Sequence, residues 1–241
     1  MTDENGEGGW ALAMAVHVFT ASGALCAFMA LVAAMEGDLA TMFKWLGAAL
    51  VIDGIDGPIA RAVGVERHAP RWDGATLDFV VDFLTYVLVP LAAIWRADLL
   101  PPAIAPIACG LVAAASALYF ADRQMKLDSH WFRGFPALWN VLLIYLLAFP
   151  LPEVFNLAVM GIAAVLMFAP LRFVHPMRVR GLRPLTLAAL AAWVWAAATL
   201  VTEGFAQGVW AHAALALTGV YFLILPLLRR PNPYSARDPV E

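Results

Sequence analysis

Charge is what this sequence has least of: 14% of its 241 residues are Asp, Glu, Lys or Arg, against 63% hydrophobic ones. So little charge excludes a water-soluble globular domain, whose surface needs more of it. The net charge of −3 excludes nothing further, because in a membrane protein the division of Lys and Arg between two sides carries the information. Cysteine is nearly absent. Cys26 and Cys109 lie in apolar runs without a CxxC spacing or a nearby His, which excludes a disulfide framework and a zinc site and leaves two small buried hydrophobes. The opening MTDENGEGGW lacks the basic start and small-residue cleavage site of a signal peptide, so the first apolar run is expected to be a retained transmembrane helix. Also missing are an internal repeat and any soluble stretch beyond short polar tails. One membrane domain over 1–241 is the expectation.

What is present in quantity is apolar sequence in lengths near the 20 or so residues that cross a bilayer. Charged or Pro/Gly punctuation divides it into eight candidate spans, 11–35, 39–63, 74–95, 102–120, 135–149, 154–171, 185–201 and 209–228, the fifth of them short. The expected fold is therefore all-α, a polytopic bundle of about eight transmembrane helices with both termini on one side.

Basic residues say which side that is. Of the fifteen, thirteen follow even-numbered spans: Arg61, Arg67 and Arg71; Arg123, Lys126 and Arg133; Arg172, Arg178, Arg180 and Arg183; Arg229, Arg230 and Arg237. Only Lys44 and Arg96 lie near the other face. The positive-inside rule makes the rich face cytoplasmic, with both termini there. The opposite loops are too short for an extracytoplasmic domain.

Against this background the stretch VIDGIDGPIARAVGVERHAPRWDGATLDFVVDF, residues 51–83, concentrates four aspartates at the cytoplasmic edge. Asp53 and Asp56 are spaced i, i+3 and Asp78 and Asp82 i, i+4, so each pair lies on one face of its helix, and the loop between lets the faces meet. Four carboxylates in an apolar setting repel one another unless a cation lies among them. The compensation expected is one or two Mg²⁺ or Mn²⁺ ions, hard cations that take oxygen ligands and leave positions open for phosphates. Gly57 and Gly74 offer close backbone approach, and Arg61 a partner for a carboxylate or phosphate oxygen. Proton relays, helix caps or salt bridges to loop arginines would each explain a single aspartate. They do not explain two paired sets flanked by glycines.

These residues resemble the signature of the CDP-alcohol phosphotransferase family, DxxDGxxAR followed by GxxxDxxxD. Asp53, Asp56, Gly57, Ala60, Arg61, Gly74, Asp78 and Asp82 match it at all eight specified positions, with a spacer from 62 to 73 that is long for the family. The resemblance implies attack of an alcohol hydroxyl on a phosphorus of a CDP-linked substrate, with CMP leaving. It implies that Asp53, Asp56, Asp78 and Asp82 ligate a pair of divalent metals and that Asp82 is also the base. It further implies that Gly57, Ala60 and Gly74 line the nucleotide, Arg61 steadies the diphosphate or an aspartate, Thr20 to Gly23 border the nucleotide, and the assembly is a homodimer.

Within that family the chain resembles the bacterial phosphatidylcholine synthases in particular, through its length, its eight spans, HVFTASGAL at 17–25, DGIDGPIAR with Pro58, and FRGFPALWN at 132–140. That implies CDP-diacylglycerol and choline as substrates in the inner membrane, with serine or inositol in place of choline as the alternatives within the family. A quaternary ammonium donates no hydrogen bond and is held by aromatic faces. Tyr86 and Trp139 are the leading candidates, with Tyr119, Phe120, Trp131 and Phe135 behind them, although Trp and Tyr at helix ends commonly form the interfacial belt. His17 and Ser22, Asn140 and Asp122 are ambiguous between site and packing. The arginines of RFVHPMRVRGLR serve topology and anionic headgroups, and one of them, or Arg123, is available to a substrate phosphate.

A second class of function, a proton- or cation-coupled transporter, also keeps carboxylates in its spans. It should carry an inverted repeat or matching broken helices in both halves. The aspartates here cluster on two adjacent spans with no later counterpart.

Overall fold

Helices begin and end where the sequence supplies a cap or a left-handed residue. The structure, a computed structural model, describes residues 4–122, 131–169, 172–174, 183–206 and 208–228. Helix α1 (Glu4–Glu36) stops at Gly37, whose φ of +81° suits glycine alone, and Asp38 caps α2 (Leu39–Val63) by accepting from the Thr41 backbone N–H at 2.9 Å. Helix α2 runs through Pro58 and ends on left-handed Gly64, whose N–H donates to the Ala60 carbonyl at 3.0 Å. After the single turn α3 (Val65–His68), Asp73 caps α4 (Gly74–Asp82) by accepting from the backbone N–H groups of Ala75 and Thr76 and from the Thr76 hydroxyl.

Helix α4 continues through a π-helical segment, Phe83–Leu88, into α5 (Val89–Arg96). Pro90 is the local cause: it has no N–H to give, and its ring crowds the carbonyl four residues back, that of Tyr86. The Val89 N–H reaches five residues back to the Leu84 carbonyl, and the Thr85 hydroxyl covers the carbonyls of Val81 and Asp82.

The described elements form two compact units. The first holds α1 to α5 with α6 (Ala105–Ala121), α7 (Trp139–Ala148) and α8 (Glu153–Met167). Small buried residues on α1, among them Ala13, Gly23, Ala27, Ala30 and Ala34, let its neighbours approach closely, while Leu12, Val18, Leu25 and Phe28 stay exposed on a face suited to lipid. Arg96 Nε donates to the Met35 carbonyl at 3.0 Å, tying the end of α5 to the end of α1. The second unit contains strands β1 (Trp131–Arg133) and β2 (Arg172–Val174), paired antiparallel with Phe132 opposite Phe173. It also contains α9 (Arg183–Thr202) and α10 (Val209–Leu228), joined by a 2.8 Å hydrogen bond between the hydroxyls of Thr186 and Tyr221.

Each expected span contains a helix, and among the described residues the regular elements are helices apart from the two three-residue strands. Among the described residues, three helices are long and apolar enough to cross a membrane: Gly8–Glu36, Gly74–Arg96 and Arg183–Thr202. Helix α2 has the length, 25 residues, but carries Lys44, Asp53, Asp56 and Arg61. Helices α6, α7, α8 and the Val209–Leu225 part of α10 are apolar but shorter.

Candidate metal centre

Two helices supply the carboxylates. Asp53 projects from α2, and Asp78 and Asp82 lie one turn apart on α4, whose start is set by the Asp73 cap. The Thr76 hydroxyl and N–H hold the Asp73 carboxyl below its usual range, as expected of a cap that accepts three hydrogen bonds.

Each of Asp53, Asp78 and Asp82 offers an oxygen within 4.8 Å of those of the other two, and all three residues are half-buried. That spacing fits a cation: ligand distances of about 2.0 to 2.6 Å place the oxygens around one ion roughly 3 to 5 Å apart. Three carboxylates this close repel one another unless positive charge offsets them. The donor set is all oxygen, which suits Mg²⁺ or Mn²⁺. Asp56, 7% exposed and next along the same face of α2, falls outside this group of three. The structure therefore brings together three of the four expected ligands, and Asp56 is not in that group.

Tyr86 reaches the same place from the π-helical segment. Its hydroxyl donates to Asp53 Oδ2 at 3.0 Å, across the interface between α2 and the helix that carries Asp78 and Asp82. The expectation for Tyr86 concerned its ring alone, so the hydroxyl's partner is new information.

The glycines differ from each other. A Cβ on Gly57 would lie 3.4 Å from Arg61 Nη1, so the guanidinium folds back over the gap that Gly57 leaves. A Cβ on Gly74 would lie 3.5 Å from His17 Cε1, an ordinary contact, so His17 of α1 packs over the first turn of α4. His17 is 6% exposed and its Nε2 has no hydrogen-bond partner, a position that the sequence left ambiguous. Thr20, one turn further along α1, is also buried, and Ala60 is half-buried.

The aromatic candidates separate clearly. Trp139 has no exposed surface, and its Nε1 donates to the buried Ser116 hydroxyl at 2.9 Å. The ring expected to offer choline an aromatic face thus lies buried beside α6, although a Trp at the start of an apolar segment looks interfacial in sequence. Phe120 meets Phe79 and Phe83 edge to face at 6.2 and 6.1 Å, packing on the side of α4 next to the aspartates. Tyr119 is buried, and Phe135 belongs to the second unit. Of the basic candidates, Arg123, Arg178 and Arg180 lie outside the described residues.

No family model matches the chain. Individual relatives do match, over most of its length. It is 40% identical over 209 residues to the phosphatidylcholine synthase of Agrobacterium fabrum, covering 87% of this chain and 87% of that one. Identity to the phosphatidylcholine synthase of Bradyrhizobium diazoefficiens is 47% over 192 residues, 80% of this chain and 71% of the relative. The phosphatidylcholine synthase of Pseudomonas aeruginosa is 36% identical over 215 residues, 87% of this chain and 90% of its own length.

Proposed function

The chain belongs to the phosphatidylcholine synthase family, and from that premise we propose that it transfers the phosphatidyl group of CDP-diacylglycerol to choline and releases CMP. In this reaction the choline oxygen forms a bond to the phosphorus nearer the lipid. The bond from that phosphorus to the oxygen bridging to CMP breaks, and the hydroxyl proton goes to a base. The observation that carries the proposal is the convergence of Asp53, Asp78 and Asp82, with oxygens within 4.8 Å, in a chain related to these enzymes over most of its length.

Asp53, Asp56, Asp78 and Asp82 are the ligands in this reading, for two divalent ions, Mg²⁺ or Mn²⁺. Such ions supply neutralisation of the diphosphate and of the departing phosphate oxygen. The chain's own residues do the remaining work. Asp82 accepts the choline proton, as an alcohol of ordinary acidity requires at neutral pH. Gly57, Ala60, Gly74 and Thr20 border the nucleotide, and Arg61, exposed and folded over Gly57, is placed to swing onto a phosphate oxygen. The Tyr86 ring is the aromatic face we assign to the quaternary ammonium, because its hydroxyl already anchors it at the carboxylates.

The finer topology is part of the same proposal: one domain over 1–241, eight spans with both termini and the aspartates at the cytoplasmic face of a bacterial inner membrane, and assembly as a homodimer. The asymmetric distribution of Lys and Arg supports the orientation.

The acceptor is tested by supplying purified protein with CDP-diacylglycerol and either choline or serine and following the lipid product. Phosphatidylcholine formed from choline, with serine inert, is the expected result. Phosphatidylserine formed in its place would reject choline as acceptor while leaving the phosphotransferase chemistry intact.

A further inference from the structure

A carboxylate that ligates a metal works best when its rotation is set before the ion arrives, and such settings come from hydrogen-bond donors behind the ligands. Asp53 has one. Its Oδ2 accepts from the Tyr86 hydroxyl at 3.0 Å, between residues 33 positions apart, so the bond spans two helices and is no by-product of local helix geometry. In a half-buried setting, a phenol donating to an ionised carboxylate makes a charge-assisted bond that water competes with poorly.

The backbone that carries Tyr86 is special as well. Tyr86 sits inside the π-helical segment Phe83–Leu88, which begins directly after Asp82. A π turn alters the direction in which the residues beyond it leave the axis, and such turns are frequent at functional sites. Pro90 favours this one by crowding the Tyr86 carbonyl, and the Thr85 hydroxyl supports it on the carbonyls of Val81 and Asp82. The irregular turn and the hydroxyl bond thus meet at one residue.

From this geometry we infer that Tyr86 is a positioning residue of the metal centre: its hydroxyl, aimed by the π-helical turn, holds the Asp53 carboxylate in the rotation that lets it ligate beside Asp78 and Asp82. The inference rests on the metal reading given above and adds to it a residue outside the aspartate motif. It concerns the hydroxyl, whereas the proposed choline contact concerns the ring. Tyr86→Phe separates the two, since the ring stays and the donor goes.

The test uses the purified full chain and Mn²⁺ as probe, with bound and free ion read by electron paramagnetic resonance and activation read by CMP release. Tyr86→Phe is expected to weaken Mn²⁺ binding about tenfold or more, the usual effect of losing a donor behind a ligand. It should also raise the Mn²⁺ concentration for half-maximal activity by a similar factor. In a double-mutant cycle, Tyr86→Phe should add nothing to Asp53→Asn, because the hydroxyl acts through that carboxylate. Wild-type Mn²⁺ affinity in Tyr86→Phe, or full additivity with Asp53→Asn, overturns the positioning role and leaves the metal reading standing. Failure of the unaltered protein to bind Mn²⁺ overturns both, so the two failures are distinguishable.

Discussion

Gly23 of α1 and Val81 of α4 meet so closely that a Cβ at position 23 would lie 2.6 Å from Val81 Cγ1. Val81 sits between Asp78 and Asp82, so this contact sets how near α4 stands to α1 and, through α4, where two of the carboxylates are held. Gly23→Ala has no flexible side-chain end to push aside, since Val81 is β-branched and buried. The expected outcome is overpacking that costs about 1 to 3 kcal/mol in thermal unfolding, together with weaker Mn²⁺ binding. Val81→Ala in the same chain should restore much of both. A Gly23→Ala protein as stable and as active as its parent would show that α4 is positioned by something else.

Asp56 stands apart from the group formed by Asp53, Asp78 and Asp82. If those three hold one ion and Asp56 completes the site of a second, Asp56→Asn should bind one Mn²⁺ where the unaltered protein binds two. Asp78→Asn should damage binding more broadly. The stoichiometry from equilibrium Mn²⁺ titration decides this, and two ions retained by Asp56→Asn would remove Asp56 from the ligand set.

Asp82 is assigned both a ligand and a proton-accepting role. Asp82→Asn removes the base but keeps the shape of the side chain, so turnover should fall by at least 10² to 10⁴. Binding of CDP-diacylglycerol, held through the remaining aspartates and the nucleotide-bordering residues, should largely survive. Near-normal turnover in Asp82→Asn would mean that the proton leaves by another route.

Much of this was legible in the sequence because the controlling signals are local. The bounds of α2 follow from Asp38 as a cap and Gly64 as a left-handed stop, and the spacing within each aspartate pair follows from helix periodicity. What the sequence withheld depends on contacts between distant residues. Trp139 looks like a helix-end aromatic in sequence, yet its burial depends on the position of Ser116, 23 residues away. The pairing of β1 with β2 joins residues some 40 apart by backbone hydrogen bonds, which leave no side-chain pattern in so short a strand. Pro90 was visible, but an intrahelical Pro can kink, break or widen a helix, and only the structure distinguishes the π turn from the others. That Asp53, and not Asp56, groups with Asp78 and Asp82 is likewise a matter of how α2 meets α4.

Phosphatidyl transfer by this chain is proposed to depend on a divalent ion held by three aspartates from two helices. This dependence is tested most directly by measuring CMP release from CDP-diacylglycerol and choline by the purified protein, first stripped of divalent ions with a chelator and then titrated with Mn²⁺ or Mg²⁺. The expected result is no release from the stripped protein, and release that rises with added ion and is lost when Asp53 or Asp78 is replaced by Asn. Release that continues unchanged without any divalent ion would contradict the dependence.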